Sequence, residues 1–306
     1  MSLNVAILMC THNGARFLSE QLLSIASQTY EHWTMVVSDD GSSDKTVEIL
    51  EEFAKSYPNE RVELRRGPCQ GFAKNFLSLG CDRKIQSQYF AFSDQDDIWL
   101  REKLEIGVSM LSVYGHGIPA LYCGSTVYIG SDNRVCGASP IFVFPPSFRN
   151  ALVQNLAGGN TMVFNAAAKR LLEKAGDQDI VAHDWWLYLL VAGAGGVVEY
   201  DKVARVNYRQ HPGAVIGGNA TLTSSVRRVF AIMTGRYKGW VSKNIAALLK
   251  SSPILSREAS DILKLVVQMR SSKFRDRLRL FNVVGLYRQT WRGTLSLYVS
   301  VFLNKF

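Results

Sequence analysis

The chain has 306 residues, 47% of them apolar and 20% charged, which suits an ordered globular protein with one large core or one domain plus a smaller appendage. Five cysteines (10, 69, 81, 123 and 136) form no CxxC pair and leave one unmatched, which disfavours a disulfide scaffold and fits a reduced, cytosolic compartment. The net charge of +9 is uneven: residues 220–306 hold 16 Lys and Arg against 3 Asp and Glu, whereas residues 1–219 hold 19 against 23.

The chain moves directly into Val5-Ala6-Ile7-Leu8-Met9, without a basic region or cleavage site, so no signal peptide is expected. Residues 4–10 predict a buried strand that ends in Cys10-Thr11-His12-Asn13-Gly14. Leu18, Leu22 and Ile25 then mark one face of a helix. Thr34 to Ser38 predicts a second strand running into Asp39-Asp40-Gly41-Ser42-Ser43-Asp44, where Ser43 or Asp44 can cap the next helix. Arg61 to Arg65 predicts a third strand, and Phe72, Phe76 and Leu79 a third helix. The apolar run Tyr89-Phe90-Ala91-Phe92 is too short for a helix and predicts a fourth, buried strand. Such alternation implies an α/β fold with a parallel sheet, whose sites lie beyond the carboxyl ends of the strands. Polar clusters stand at three of those ends: 10–14, 38–44 and 93–97.

Beyond residue 100 the pattern is mixed. Ala120 to Ile129 alternates as one strand, with a turn at Ser131-Asp132-Asn133. Gly158-Gly159-Asn160 precedes a short strand at Thr161 to Phe164, and His183 opens an apolar helix through Val191. Strands are expected at 196–200 and 203–209. Gly217-Gly218-Asn219 is the expected boundary between a catalytic domain at 1–219 and a basic helical region at 220–306. No run of eighteen apolar residues exists, so no spanning helix is expected.

Phe92-Ser93-Asp94-Gln95-Asp96-Asp97-Ile98-Trp99 carries the strongest chemical signal. Three carboxylates within four positions repel one another, and a hard divalent cation such as Mg²⁺ or Mn²⁺ would resolve that repulsion. A solvated acidic loop or a helix cap is the alternative. No P-loop or GxGxxG follows the first strand, so any nucleotide phosphates would be held through a metal at 94–97. Asp39 and Asp40 fit turn chemistry around Gly41, or a carboxylate that accepts hydrogen bonds from a base or sugar. His183-Asp184 is the best candidate for proton chemistry, against a plain helix cap, and the tryptophans beside it fit either core or a sugar platform. His211 fits a structural histidine or a metal or phosphate contact, and Arg209 could pair with an anionic substrate.

Taken together these segments resemble a family-2 inverting glycosyltransferase of the GT-A fold, similar to bacterial rhamnosyltransferases. The matching motifs are Cys10 to Gly14, Gln21 to Thr29 (QLLSIASQT), Ser38 to Asp44 (SDDGSSD), Gly71 to Asn75 (GFAKN), Ser93 to Trp99 (SDQDDIW), Gly158 to Thr161 (GGNT), His183 to Trp186 (HDWW) and Tyr208 to Gly213 (YRQHPG). They stand in the family's order within residues 4–217. The resemblance implies that Thr11 and Asn13 line a nucleoside pocket, that Asp40 contacts the base, and that Asn75 belongs to the donor-binding set. It implies Asp94 and Asp96 as the DxD pair, with Asp96 the main metal ligand, Asp184 as the catalytic base, and His211 within reach of the metal or diphosphate. Ala214 stands where the family often has asparagine after the last motif, which leaves the detail of that loop open. The implied reaction moves a sugar, with L-rhamnose from dTDP-L-rhamnose as the leading donor, onto a bacterial cell-surface glycan or glycolipid such as lipopolysaccharide.

Two other functions compete: a metal-dependent nucleotidyl or phosphoryl transferase using the same acidic cluster, and a non-catalytic carbohydrate- or membrane-binding protein. The basic, aromatic tail is expected to lie on an anionic membrane surface as a peripheral contact at the inner face of the cytoplasmic membrane. Its alternative is an appendage packed on the catalytic domain. No nucleic-acid-binding motif is present.

Overall fold

The computed structural model describes residues 4–58, 61–210 and 236–306. The expected boundary at 217–219 therefore lies outside the described residues. The first half alternates as its periodicity predicts: β1 (Val5–Thr11), α1 (Leu18–Ala26), β2 (Trp33–Asp39), α2 (Thr46–Lys55), β3 (Val62–Arg66), α3 (Phe72–Gly80), β4 (Tyr89–Ser93), β5 (Ile98–Trp99) and α4 (Lys103–Ser112). Then follow β6 (Ala120–Gly124), β7 (Val127–Ile129), β8 (Val135–Ala138), α5 (Phe148–Ala151), β9 (Val163–Asn165), α6 (Ala166–Ala175), α7 (His183–Gly193), β10 (Val197–Asp201) and β11 (Val206–Arg209). Four helices close the chain: α8 (Arg236–Lys250), α9 (Arg257–Ser271), α10 (Phe274–Val284) and α11 (Trp291–Phe302).

The main sheet has seven strands in the order β10-β6-β9-β4-β1-β2-β3, and only β9 runs antiparallel to its neighbours. The α/β, mainly parallel architecture expected from the sequence is the one observed. Register pairs Thr11 with Asp39 and Met9 with Ser93, so the polar loops after β1, β2 and β4 emerge side by side. A smaller sheet, β5-β11-β7-β8, stands beside the acidic loop, because β5 is the continuation of that loop.

The single strand expected over Ala120–Ile129 is instead two strands in different sheets. Ser125 and Thr126 break the ladder: the Ser125 N–H donates to the Asp201 carbonyl, its hydroxyl donates to the Lys202 carbonyl, and the Thr126 N–H donates to Ser139 Oγ. The Ser125 bond to Asp201 closes the last rung between β6 and β10, and with the next groups satisfied by Lys202 and Ser139 the chain can cross to the second sheet. Thr161 likewise ends a short 3₁₀ turn rather than starting a strand.

Alternation along β1 sends Val5, Ile7 and Met9 into one core, and Ala6, Leu8 and Cys10 into the other. The first core is covered by Leu18, Leu22 and Ile25 of α1 and by Leu104, Val108 and Leu111 of α4. The second holds α7, which is buried on all sides as a helix without a polar face must be. Tyr237, Val241 and Leu248 of α8, Val266 and Met269 of α9, Phe281 of α10 and Val301 of α11 belong to this same core. The Tyr237 hydroxyl also donates to the Val153 carbonyl, and Arg149 Nε to the Val284 carbonyl. The basic region thus joins, through its apolar faces, the core that holds α7.

A shared core implies shared cooperativity. Leu248→Ala should cost about 2–5 kcal/mol, and it should shift far-UV circular dichroism and near-UV tryptophan signals together in one denaturant transition. Separate transitions for sheet and tail would contradict the single core.

Candidate active site

The three loop ends are knitted together by side chains. Thr11 Oγ1 donates to Asp39 Oδ2 at 2.8 Å, and the other Asp39 oxygen accepts the Ser42 N–H at 2.8 Å. Asn13, in the left-handed region at φ 48°, donates its N–H to Ser42 Oγ and accepts the Ser43 N–H on Oδ1, each at 2.8 Å. Gln95 grips His12 twice, accepting its N–H at 2.8 Å and donating to its carbonyl at 2.9 Å. The N-cap of α2 is Lys45, with no side-chain cap, and not the expected Ser43 or Asp44; Asp44, one residue earlier, accepts the Thr46 and Ala15 N–H groups. Those hydrogen bonds hold its carboxyl below the ordinary range even though partial burial opposes them.

Asp40 is nearly buried and accepts the Cys69 N–H at 2.6 Å and the Gly71 N–H at 2.9 Å. Each of its oxygens retains acceptor capacity, so contact with a base stays open to it. Asn75 does not share that freedom. Its Oδ1 accepts from Ser38 Oγ, its Nδ2 donates to the Ser38 carbonyl at 2.9 Å, and it is buried. The expected donor contact at Asn75 is therefore corrected to a strut that fixes α3 to the end of β2. A Cβ on Gly67 would meet Asn75 Oδ1 at 2.7 Å and Asp40 Oδ1 at 2.8 Å, so glycine alone lets that loop pass.

The acidic loop is clamped at both ends by polar side chains of α1, and of Gln28 just past its end, that the apolar periodicity did not reveal. Gln21 Nε2 donates to Ser93 Oγ at 2.8 Å, Ser24 Oγ accepts the Trp99 N–H at 3.0 Å, and Gln28 Nε2 donates to the Leu100 carbonyl at 2.9 Å. Asp97 points inward, fully buried, with Asn160 Nδ2 on Oδ2 at 2.6 Å and the Arg209 N–H on Oδ1 at 3.1 Å. Burial, then the charge of Asp96, pushes the Asp97 carboxyl up to about 7, against those hydrogen bonds. Behind it the ammonium of Lys103 is buried over the Trp99 ring, 3.6 Å from its centroid, and burial brings it down to about 7.

Arg209 is the other support that was missed. Its guanidinium is fully buried, donating to the Asp96 carbonyl at 2.8 Å, the Gly130 carbonyl at 3.2 Å, Asn133 Oδ1, and Glu20 Oε2 at 2.9 Å, with its plane near the Phe17 ring. It joins α1, the second sheet and the acidic loop. The expected pairing of Arg209 with an anionic substrate is thereby corrected. A buried fork with every partner supplied by the protein is a staple.

Asp94 and Asp96 remain at the mouth of the site. Loss of water, then the charges of Asp97, Asp96 and Asp184, pushes the Asp94 carboxyl well above the usual range. A water-poor carboxyl crowded by neighbouring carboxylates fits a hard divalent cation. Among the described residues no three His, Cys, Asp or Glu side chains converge as a ready-made cage. His211 lies outside the described residues.

Asp184 approaches from the start of α7. It is the second residue of that helix and not its cap, a position taken by Ala182. Its Oδ1 accepts the Trp185 N–H at 2.6 Å and its Oδ2 the Gly159 N–H at 3.1 Å, while the Asn155 side chain also bonds it. Burial raises its carboxyl above the usual range, against those three hydrogen bonds. The neighbouring His183 is unsuited to proton chemistry. Its ring stacks on Phe76 at 3.7 Å and meets the edge of Phe92, both nitrogens lack a partner, and burial takes it down to about 3. It is a neutral wedge, and Gly159 must be glycine because a Cβ there would strike His183 Nε2 at 2.4 Å. Trp185 and Trp186 are buried as well, with Trp185 Nε1 on the Ala151 carbonyl at 2.7 Å, so they form core and no sugar platform.

Residues 6–176 match the family model described as Glycosyl transferase family 2. The chain is 28% identical over 265 residues to a dTDP-rhamnosyl transferase, RfbG, of Shigella flexneri, covering 80% of this chain and 86% of that protein. It is 33% identical over 189 residues to the UDP-Glc:alpha-D-GlcNAc-diphosphoundecaprenol beta-1,3-glucosyltransferase WfgD of Escherichia coli, covering 61% and 69% of the two chains. Among solved structures it resembles the mannosyltransferase PcManGT of Pyrobaculum calidifontis in complex with GDP-Man and Mn²⁺. The TM-score there is 0.53 at 16% identity, over 100% of this chain and 87% of that one.

Removing the staple should loosen the loop it holds. Arg209→Met leaves the Asp96 and Gly130 carbonyls without their donor and should cost about 2–4 kcal/mol in urea unfolding. Arg209→Lys should recover only part of this, because a single ammonium cannot span the fork's partners. Full stability in Arg209→Met would show the cluster to be redundant.

Proposed function

The chain belongs to glycosyl transferase family 2, and from that premise we propose that it is a metal-dependent, inverting rhamnosyltransferase. The proposed donor is dTDP-L-rhamnose, and the proposed acceptor is a bacterial cell-surface glycan or glycolipid, as in lipopolysaccharide synthesis. The observation that carries the reaction type is the Gly159-Asn160 turn, which bonds Asp184 through one residue and Asp97 of the acidic loop through the next, and so brings the candidate base and the acidic loop together. The sugar's identity is supported by the likeness to a dTDP-rhamnosyl transferase over most of both chains. A lipid-linked acceptor is supported by the likeness to an enzyme whose acceptor is diphosphoundecaprenol-linked.

In the proposed reaction Thr11, Asn13 and Asp40 frame the nucleoside, and Asp94 and Asp96 would hold Mg²⁺ or Mn²⁺. When bound, that ion supplies Lewis-acid stabilisation of the charge left on the diphosphate. Asp184 removes the proton of the acceptor hydroxyl as its oxygen attacks the anomeric carbon. The bond from that carbon to the diphosphate oxygen breaks with its electron pair going to the diphosphate, so the anomeric centre inverts. A second carboxylate nucleophile is not required. Burial suits Asp184 to this task, since a base raised toward neutral pH takes a proton more readily. The +13 balance of residues 220–306 supports a cytoplasmic enzyme resting peripherally on the inner face of the cytoplasmic membrane.

Asp96→Ala should lower turnover by at least about two orders of magnitude at saturating donor, with the thermal midpoint held. Unchanged turnover with dTDP-L-rhamnose, Mg²⁺ and Mn²⁺ would remove the metal from the reaction. His211 is the further metal candidate from the sequence.

Asp184→Asn should keep donor affinity and lower kcat by about 10²–10⁴-fold. The pH profile adds a sign. The active carboxylate is deprotonated, so kcat falls as pH drops through its raised pKa. Asn155 favours the charged form. Asn155→Ala should therefore move the acid limb of the kcat profile to higher pH, and a limb moving lower would assign the base elsewhere.

A further inference from the structure

The last helix carries an apolar stripe that stays largely exposed, although Tyr298 also packs edge-on against Phe281 at 4.5 Å. Trp291, Leu295, Tyr298 and Phe302 recur at spacings of four, three and four on one side of α11, exposed by 69, 56, 44 and 56% respectively. Leu297 and Val301, on the opposite side, are buried in the shared core. A helix with two apolar faces has one left for a partner. Phe274 of α10 extends the exposed face, its ring edge-on to Phe302 at 5.0 Å.

A second segment joins this surface. Ile141, Val143 and Phe144 are exposed on the link between β8 and α5. That link is tied to the residues just before α11: the Phe144 N–H donates to Gln289 Oε1, Gln289 Nε2 donates to the Phe144 carbonyl, and the Tyr287 hydroxyl donates to the Pro145 carbonyl. The same link is bonded to α7, since Tyr188, one turn beyond Asp184, shares hydrogen bonds with Ser147.

Charge decides the occupant. Residues 273–306 carry seven Lys and Arg against a single acidic residue, Asp276. Lys273, Arg275 and Arg279 are exposed on α10, beside the helix bearing the stripe, and Arg292 lies next to Trp291. Rings and aliphatic side chains bordered by cations fit an interface of acyl chains and anionic headgroups. Among the described residues no helix is long and apolar enough to cross a membrane. We infer that the α11 stripe, Phe274 and the 141–144 link form one interfacial face that seats the protein on an anionic lipid surface, with α11 lying in its plane. This deepens the proposed membrane location and rests on that reading for its purpose, which is to present a glycolipid acceptor on the side of the link that contacts α7.

The test uses the full chain, because truncation would open the shared core. Co-sedimentation is measured with vesicles of phosphatidylcholine alone and of equimolar phosphatidylcholine and phosphatidylglycerol, at low and high salt, without donor or acceptor. The parent should pellet with the anionic vesicles and be released by salt. The variant Trp291→Ser/Leu295→Ser/Phe302→Ser should bind at least about tenfold more weakly. Arg275→Gln/Arg279→Gln/Arg292→Gln should lose the preference for anionic lipid, by roughly fivefold per cation. Brominated lipid should quench parent tryptophan fluorescence more than that of Trp291→Phe, a variant that keeps the face apolar. Equal pelleting of parent and serine variant would overturn the inference. So would light scattering that shows a parental dimer made monomeric by the serine variant, since a second copy would then cover the face. Donor hydrolysis, read separately without vesicles, reports on the transferase reaction, so either can fail alone.

Discussion

Burial of the Asp94 carboxyl beside the carboxylates of Asp97, Asp96 and Asp184 is the constraint around which this molecule is arranged. Left to itself such a group would spread into solvent. It is held by attaching both ends of a short loop to buried polar side chains: Gln21 and Ser24 on one helix, Asn160 on a turn, and Arg209 from the second sheet. None of these clamps is a charge aimed into the site. Arg209 reaches the loop through a main-chain carbonyl, and Lys103 lies behind Asp97 over an indole ring. The negative potential at the mouth is thereby kept for a ligand and is not cancelled by the scaffold.

The parallel sheet supplies the rest. Because β1, β2 and β4 are adjacent and in register, their polar ends need no long loops to meet. Close approach then has to be permitted locally. Gly67 and Gly159 do this where the Asp40 and Asp184 carboxylates are placed, each by the absence of one carbon. The carboxylates of Asp40 and Asp184 are thus fixed by similar means from separate parts of the chain.

Much of this was legible in the sequence, for physical reasons. The alternation along Val5 to Cys10 reports two apolar faces, and the short run before Asp94 can only be a buried strand. Three aspartates in four positions advertise a cost that needs a remedy. What stayed hidden were decisions made by distant partners. Gln21 of α1 and Gln28 just past its end look like surface residues until Ser93 and Leu100 arrive to meet them. Arg209 resembles a substrate clamp until its carbonyl partners are counted. The strand through Ser125 and Thr126 keeps its pattern, and only the Asp201 and Lys202 carbonyls from across the sheet divide it. His183 and its tryptophans were placed on the right helix, but periodicity cannot show that every face of α7 is enclosed.

The common core of α7 with α8, α9, α10 and α11 bears on how such an enzyme can diversify. A tail fastened by a linker could be traded between enzymes, changing location and leaving chemistry alone. Here Tyr237 and Leu248 belong to the same core as the helix that carries Asp184, and the Tyr237 hydroxyl bonds the Val153 carbonyl, so an exchanged tail would bring mismatched volumes into that core. New addresses for this catalytic unit should therefore arise by recolouring the outer faces of α10 and α11, residue by residue, with their inner faces kept as they are.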